Sequence, residues 1–149
     1  MGSIDNARGD GGATDALHGA RVLVVDDDPD HRNMLAVILA HEGAVVCPVE
    51  SVEGAMREVL REPPDVIVTD VRLNGETGFD LLRGLRALPA DASRGRLPVV
   101  ALTGFADEEG PGDPDHVFDA RLRKPVDFDE LVALVAGLLR GARGESATS

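Results

Sequence analysis

The sequence has no tryptophan and no tyrosine, and phenylalanine, present four times, is its only aromatic residue. A core without large ring systems must be assembled from Val, Leu, Ile and Ala. Hydrophobic residues make up 43% of the chain, enough to bury such a core, and this argues against wholesale disorder. Cysteine occurs once, as Cys47, so no internal disulfide can form, which suits a reducing compartment. Basic residues are outnumbered 15 to 27, for a net charge of -12. That balance argues against nucleic acid as a partner held by phosphate contacts, which needs a basic face. No apolar run approaches the ~20 residues of a membrane span, and no charged segment followed by an apolar one marks a signal peptide. A cytoplasmic protein without membrane attachment is expected. Lysine is almost missing as well: 14 of the 15 basic residues are Arg, and Lys124 is the exception. A single Lys in an Arg-dominated chain invites the question of what that position does.

What is present fits one domain. The 149 residues leave no room for two of ordinary size. Residues 1–19, rich in Gly, Asp, Ala and Ser, read as a disordered leader, and 141–149 as a loose tail, leaving a domain over 20–140. Within it two periods alternate. Short β-branched runs, Arg21–Asp26, Ala44–Val49, Asp65–Asp70, Leu97–Thr103 and the weaker Phe118–Arg123, read as strands. Helical spacing follows them. Pro29 opens a helix carrying Met34, Leu35, Val37, Ile38 and Leu39, and Gly43 closes it. Ser51 caps a second helix, stopped by Pro63-Pro64, and Thr77 with Asp80 forms a capping box ahead of a third. Asp127 and Glu130 start a last helix. The segment Asp107–Asp115 holds Gly110, Pro111, Gly112 and Pro114 where a fourth helix belongs, so that helix is expected to be short or disordered. Five strand–helix alternations give an α/β domain with a parallel sheet covered on both faces. Phe79, Phe118, Phe128 and Cys47 are expected in the core.

In an open parallel sheet, ligands bind outside the carboxyl ends of the strands. Those ends carry Asp26-Asp27-Asp28, Asp70, Thr103 and Lys124. Clustered carboxylates repel and raise each other's pKa unless a cation joins them. Hard oxygen ligands with few side chains suit Mg2+, which keeps waters and favours a phosphate partner. A lysine and a threonine can hold phosphoryl oxygens, and a carboxylate can itself be the nucleophile. The set is suited to phosphoryl transfer. A calcium loop starting at Asp26 is excluded, because His31 stands where the loop needs Gly and Val37 where it needs Glu. The four His are scattered without zinc spacing, and His31 reads as a first-turn surface residue.

The segments VLVVDDDPD, VTDVRLNGETGFDLL, ALTG and RKP resemble, in order and spacing, the receiver domain of two-component response regulators. The resemblance spans about residues 20–140. It implies a flavodoxin-like doubly wound (βα)5 fold with strand order 2-1-3-4-5, and Asp70 as phosphoacceptor. It further implies Mg2+ held by Asp26, Asp27, Asp70 and the backbone carbonyl of Arg72. Thr103 matches the family's switch hydroxyl, Lys124 its lysine, Pro125 its cis peptide, and Gly78 its turn glycine. The phosphoryl donor would be a histidine kinase or a histidine phosphotransfer protein. The output would be contact with a downstream protein, by a monomer or a phosphorylation-dependent dimer, rather than enzymatic turnover. The chain is expected to be stand-alone or excised from a larger protein.

Two positions depart from the family pattern. Arg121 replaces the aromatic that normally accompanies the threonine switch, so that switch cannot work in its ordinary form. Asn74 replaces a common Pro. Arg72 and Phe105 occupy the positions that flank the acyl phosphate in the family, where we expect them to hinder the attacking water. Arg121 and Arg123 read as a solvated strand edge. Two other functions are consistent with some of these residues. One is a receiver-like interaction module that works without phosphorylation. The other is a metal-dependent phosphatase with Asp26 or Asp28 as nucleophile, although Asp30 stands where such hydrolases want Thr or Val and no cap domain is visible.

Overall fold

A computed structural model describes residues 16–89, 97–104 and 118–148, with side chains to Gly141. The strands of the main sheet are β1 (Arg21–Val25), β2 (Val45–Val49), β3 (Val66–Asp70), β6 (Val99–Thr103) and β7 (Ala120–Arg123). They pair in parallel in the order β2-β1-β3-β6-β7, which is 2-1-3-4-5 when only these strands are counted. The remaining strands, β4 (Arg72–Leu73) and β5 (Glu76–Thr77), form a separate antiparallel hairpin. The helices among the described residues are α1 (Pro29–His41), α2 (Val52–Arg61), α3 (Gly78–Arg86) and α4 (Phe128–Thr148).

Period-two alternation sends successive strand residues to opposite faces. Val22, Val24, Val66, Val68, Val100 and Leu102 pack on one face, against Leu35 and Leu39 of α1 and Leu131 and Val135 of α4. Leu23, Val25, Ile67, Val99 and Ala101 pack on the other, against Ala55 and Val59 of α2 and Leu81 of α3. With both faces covered, β3 and β6 are buried along their whole length, which is why these strands read as continuous apolar runs. The caps form at the expected residues. Asp28 accepts the N–H groups of Asp30 and His31 at the start of α1, with Pro29 in the first turn. Ser51 accepts Gly54 N–H at 3.0 Å. Thr77 and Asp80 exchange their capping-box bonds at 3.2 and 2.9 Å.

The structure differs from the sequence reading in four places. The last residues of the expected leader form a turn, in which Leu17 is buried. An isolated leucine in a polar stretch is drawn into the core, and its N–H bonds Glu42 O at 2.9 Å. The expected tail from 141 continues α4 through Thr148, no proline interrupting the chain after Pro125. Cys47, Phe79 and Phe128 are half-buried and pack against the core, and of the residues expected there Phe118 alone is fully buried. On α1 the buried stripe is only Leu35 and Leu39, one turn apart; Met34 and Val37 face outward, the latter 68% exposed. The segment 107–115, with its degraded helix, lies outside the described residues. No helix among the described residues is long and apolar enough to cross a membrane.

Candidate functional site

The strand ends converge as the topology requires. Asp26 follows β1, held by its N–H to Val49 O at 3.1 Å, and Asp70 ends β3 beside it. Val25 stands opposite Thr69 in the register, so the two acids leave the sheet side by side. Asp26, Asp27 and Asp70 each present a carboxylate oxygen, and these oxygens all lie within 4.8 Å of one another. Asp26 and Asp70 are buried, at 0% and 5% exposure, while Asp27 is the most open of the three. Acids are normally excluded from the interior unless paired. Three hard oxygen donors within one sphere, facing a single ammonium, fit a divalent cation such as Mg2+.

That ammonium is Lys124. Its Nζ donates to Asp70 Oδ2 at 2.6 Å across 54 residues of sequence. The Lys124 N–H donates to Thr103 O at 2.8 Å, tying the lysine to the end of β6, and the peptide bond to Pro125 is cis. Burial pushes the Asp70 carboxyl above the usual carboxylate range. The Lys124 hydrogen bond and charge pull it back, and the Asp26 charge adds to the rise. Thr103 is buried at the end of β6, with its hydroxyl donating to Leu122 O at 3.4 Å, so in this state it faces β7. Arg72 follows Asp70 in the β4–β5 hairpin with its side chain exposed. Arg121 and Arg123 are exposed on the edge strand β7, as a solvated edge should be. Phe105 lies outside the described residues.

Gly78 explains why no larger residue suits the start of α3. A Cβ there would stand 3.2 Å from Asp70 O and 3.3 Å from the Phe118 ring. The Gly78 N–H also donates to Val71 O at 2.7 Å, folding the hairpin back under the acid. The hairpin itself was legible but not read. Asn74-Gly75 occupies its two-residue loop, Gly75 has φ +79, and Asn-Gly between short strands is a strong hairpin signal.

Sequence reasoning also missed His31. Far from being a plain surface residue, its Nδ1 lies 2.5 Å from Asp26 Oδ2. A carboxylate only accepts, so Nδ1 carries the proton. The other Asp26 oxygen, Oδ1, accepts the Asp28 N–H at 2.9 Å, and Arg32 Nη1 donates to Asp26 O at 2.8 Å. The available signal was position: residues in the first turn of a helix that starts at a strand end can reach back to that end.

Comparison with known proteins agrees with this geometry. A family profile described as response regulator receiver domain matches residues 22–136. A 14.6 kDa protein of Leptolyngbya boryana encoded in the sodA1 3' region is 40% identical over 115 residues, covering 76% of this chain and 86% of that one. The transcriptional regulatory protein AruR of Pseudomonas aeruginosa is 34% identical over 140 residues, but this chain, 87% covered, spans only 53% of AruR. Among solved structures, the receiver domain of the sensor histidine kinase PA1611 of Pseudomonas aeruginosa, with magnesium coordinated in its active-site cleft, superposes with a TM-score of 0.69 at 28% identity. The match covers 81% of this chain and 98% of that one. With the strand order, the acidic rim and the lysine opposite it, these matches place the chain in the receiver-domain family of two-component response regulators.

Proposed function

We propose that Asp70 accepts a phosphoryl group from the phosphohistidine of a histidine kinase or a histidine phosphotransfer protein, and that the phosphorylated domain signals by protein contact. The observation that carries this is the buried Asp70 carboxylate at the rim, with the Lys124 ammonium on one oxygen and two acids beside it. An Asp70 oxygen attacks phosphorus; the O–P bond forms, the N–P bond breaks, and the leaving imidazole takes up a proton. Asp26, Asp27, Asp70 and the Arg72 carbonyl would hold Mg2+, which when bound supplies positive charge to the transferring phosphoryl oxygens. Lys124 holds a phosphoryl oxygen with the ammonium that now pairs with Asp70. Thr103, whose hydroxyl donates to Leu122 O, can turn its donor toward the phosphoryl group instead. Arg72, exposed on the hairpin that follows Asp70, would hinder hydrolytic water and prolong the phosphorylated state.

Receiver domains are signalling proteins rather than classical enzymes. Asp26 as the nucleophile of a phosphatase is disfavoured: it is fully buried, and both of its carboxylate oxygens are already hydrogen-bonded. The test is incubation with acetyl phosphate and Mg2+, followed by intact-mass measurement. One added phosphoryl group that disappears in Asp70→Asn is expected. A wild-type chain that takes up none would leave the phosphorylation-independent module as the better reading.

A further inference from the structure

Asp26 enters the rim fully buried, and a buried carboxylate must be both paired and aimed. The backbone N–H of Asp28 fixes one oxygen, Oδ1, at 2.9 Å. One contact does not set the carboxylate plane, because the terminal torsion of an aspartate is broad. The second contact, from His31 Nδ1 to Oδ2 at 2.5 Å, does set it. His31 is itself held in place. It lies in the first turn of α1, its own N–H reaches Asp28 Oδ1 at 3.4 Å, and its side chain is 22% exposed. Asp28 thus caps the helix that carries the imidazole and, through its N–H, grips the other oxygen of the same acid.

The imidazole lies outside the group of three carboxylate oxygens that gather within 4.8 Å. It touches Asp26 without joining that group. A carboxylate oxygen offers two acceptor sites, so each Asp26 oxygen keeps one for a cation or its water. We propose that His31 is a positioning residue of the metal site: its Nδ1–H fixes the orientation of Asp26 so that Mg2+ meets a preorganised oxygen. This rests on the reading that Asp26, Asp27 and Asp70 hold Mg2+. Partners in the second layer around a metal typically tune affinity by 10–100-fold. A histidine that merely covered the helix start would contribute to stability and leave metal affinity alone.

The experiment separates those roles. Mg2+ is titrated into the 15N-labelled full chain, and the amide shifts of the rim give its affinity. His31→Phe keeps the bulk of the ring and removes the donor, while His31→Asn keeps an N–H close to the Nδ1 position. Unfolding midpoints in EDTA report folding, and His31→Ala replaces His31→Phe if the latter does not fold. The expected result is Mg2+ affinity at least about 10-fold weaker in His31→Phe, largely recovered in His31→Asn. Affinity in His31→Phe within about twofold of wild type, or no recovery in His31→Asn, overturns the proposal. A wild-type chain without any response to Mg2+ overturns the metal reading itself, and is thereby distinguished from a failure of His31 alone.

Discussion

The acidic rim has two sides built over different distances along the chain. On the β1 side, Asp26 is gripped by groups two and five residues away, Asp28 N–H and His31 Nδ1. On the other side, Asp70 meets Lys124 across 54 residues, and Thr103 meets Leu122 across 19. The near side is a property of one strand end and one helix start. The far side exists only when β3, β6 and β7 are in register, with Asp70 opposite Leu102 and Leu102 opposite Leu122. The difference assigns separate tasks. A corner built from neighbouring residues would, on the proposed function, hold its part of the metal ligand set in one orientation. On the proposed function, a pair spanning three strands suits the step that changes, because a phosphoryl group on Asp70 would compete for the ammonium that now holds Asp70 itself. The Lys124 N–H bonds Thr103 O, so a movement of Lys124 would reach the ends of β6 and β7.

The sharpest break of this comparison is on the far side. Asp70→Asn abolishes phosphoryl uptake while Mg2+ still meets Asp26 and Asp27, so intact mass shows no adduct under conditions that label the wild type. Lys124→Met keeps the acceptor and removes the charge aimed at the transferring group. Loss of such a preorganised electrostatic partner costs about 100-fold in the phosphorylation rate. Lys124→Arg restores the charge in a longer, planar group, and we expect it to recover only part of that rate. Should Lys124→Arg match the wild type in both rate and the Thr103 amide response, the solitary lysine in an Arg-rich chain is coincidence. On the exposed hairpin, Arg72→Asn lowers the barrier to hydrolysis of the acyl phosphate by about 1 kcal/mol, several-fold in rate. Decay of the phosphorylated mass species after donor removal measures this, and an unchanged decay removes Arg72 from that role.

The backbone between the two sides gives the next smaller effect. Gly78→Ala puts a methyl 3.2 Å from Asp70 O and 3.3 Å from Phe118, and neither the backbone nor a ring buried to 5% exposure can easily give way. Overpacking of this kind costs about 1–3 kcal/mol, read by urea denaturation. Full stability in Gly78→Ala would mean the hairpin shifts freely, and the acceptor would then be less firmly placed than its burial implies.

The same near-and-far contrast separates what the sequence reveals from what it does not. The strands and the caps at Asp28, Ser51 and Thr77 follow from local pattern, while the strand order comes from the resemblance to receiver domains. The rim residues are legible because strand ends of a parallel sheet must meet. The contact of His31 was not, since five residues of spacing across a strand-to-helix turn have no period that points a ring backward. Nor was the burial of Leu17, whose neighbours are polar and whose N–H partner, Glu42, lies across the fold. Met34 and Val37 misled in the opposite direction: apolar type suggested a face, but only Leu35 and Leu39 lie on the stripe that meets the sheet.

The smallest effect follows from the charge on Asp70 in the metal-free protein. Burial raises its pKa in the folded state above that of the unfolded chain, outweighing the pull of Lys124. Between those two values the folded state binds more protons than the unfolded one, so stability falls as pH rises. The stabilising contribution of the protonated carboxyl is complete below the ordinary carboxylate value and is lost through the raised one. Asp70→Asn has no such titration. In EDTA, the stability of Asp70→Asn relative to wild type should therefore climb as pH rises through that window and level off above it. Urea midpoints at several pH values measure this difference, in which the acids remote from the rim cancel. Adding Mg2+ at neutral pH should narrow the gap, because the ionised Asp70 then gains a cation that the amide holds less well. A difference that is flat in pH would mean that the pull of Lys124 balances the burial of Asp70 in the folded chain. The far side of the rim would then be as settled before phosphorylation as the near side.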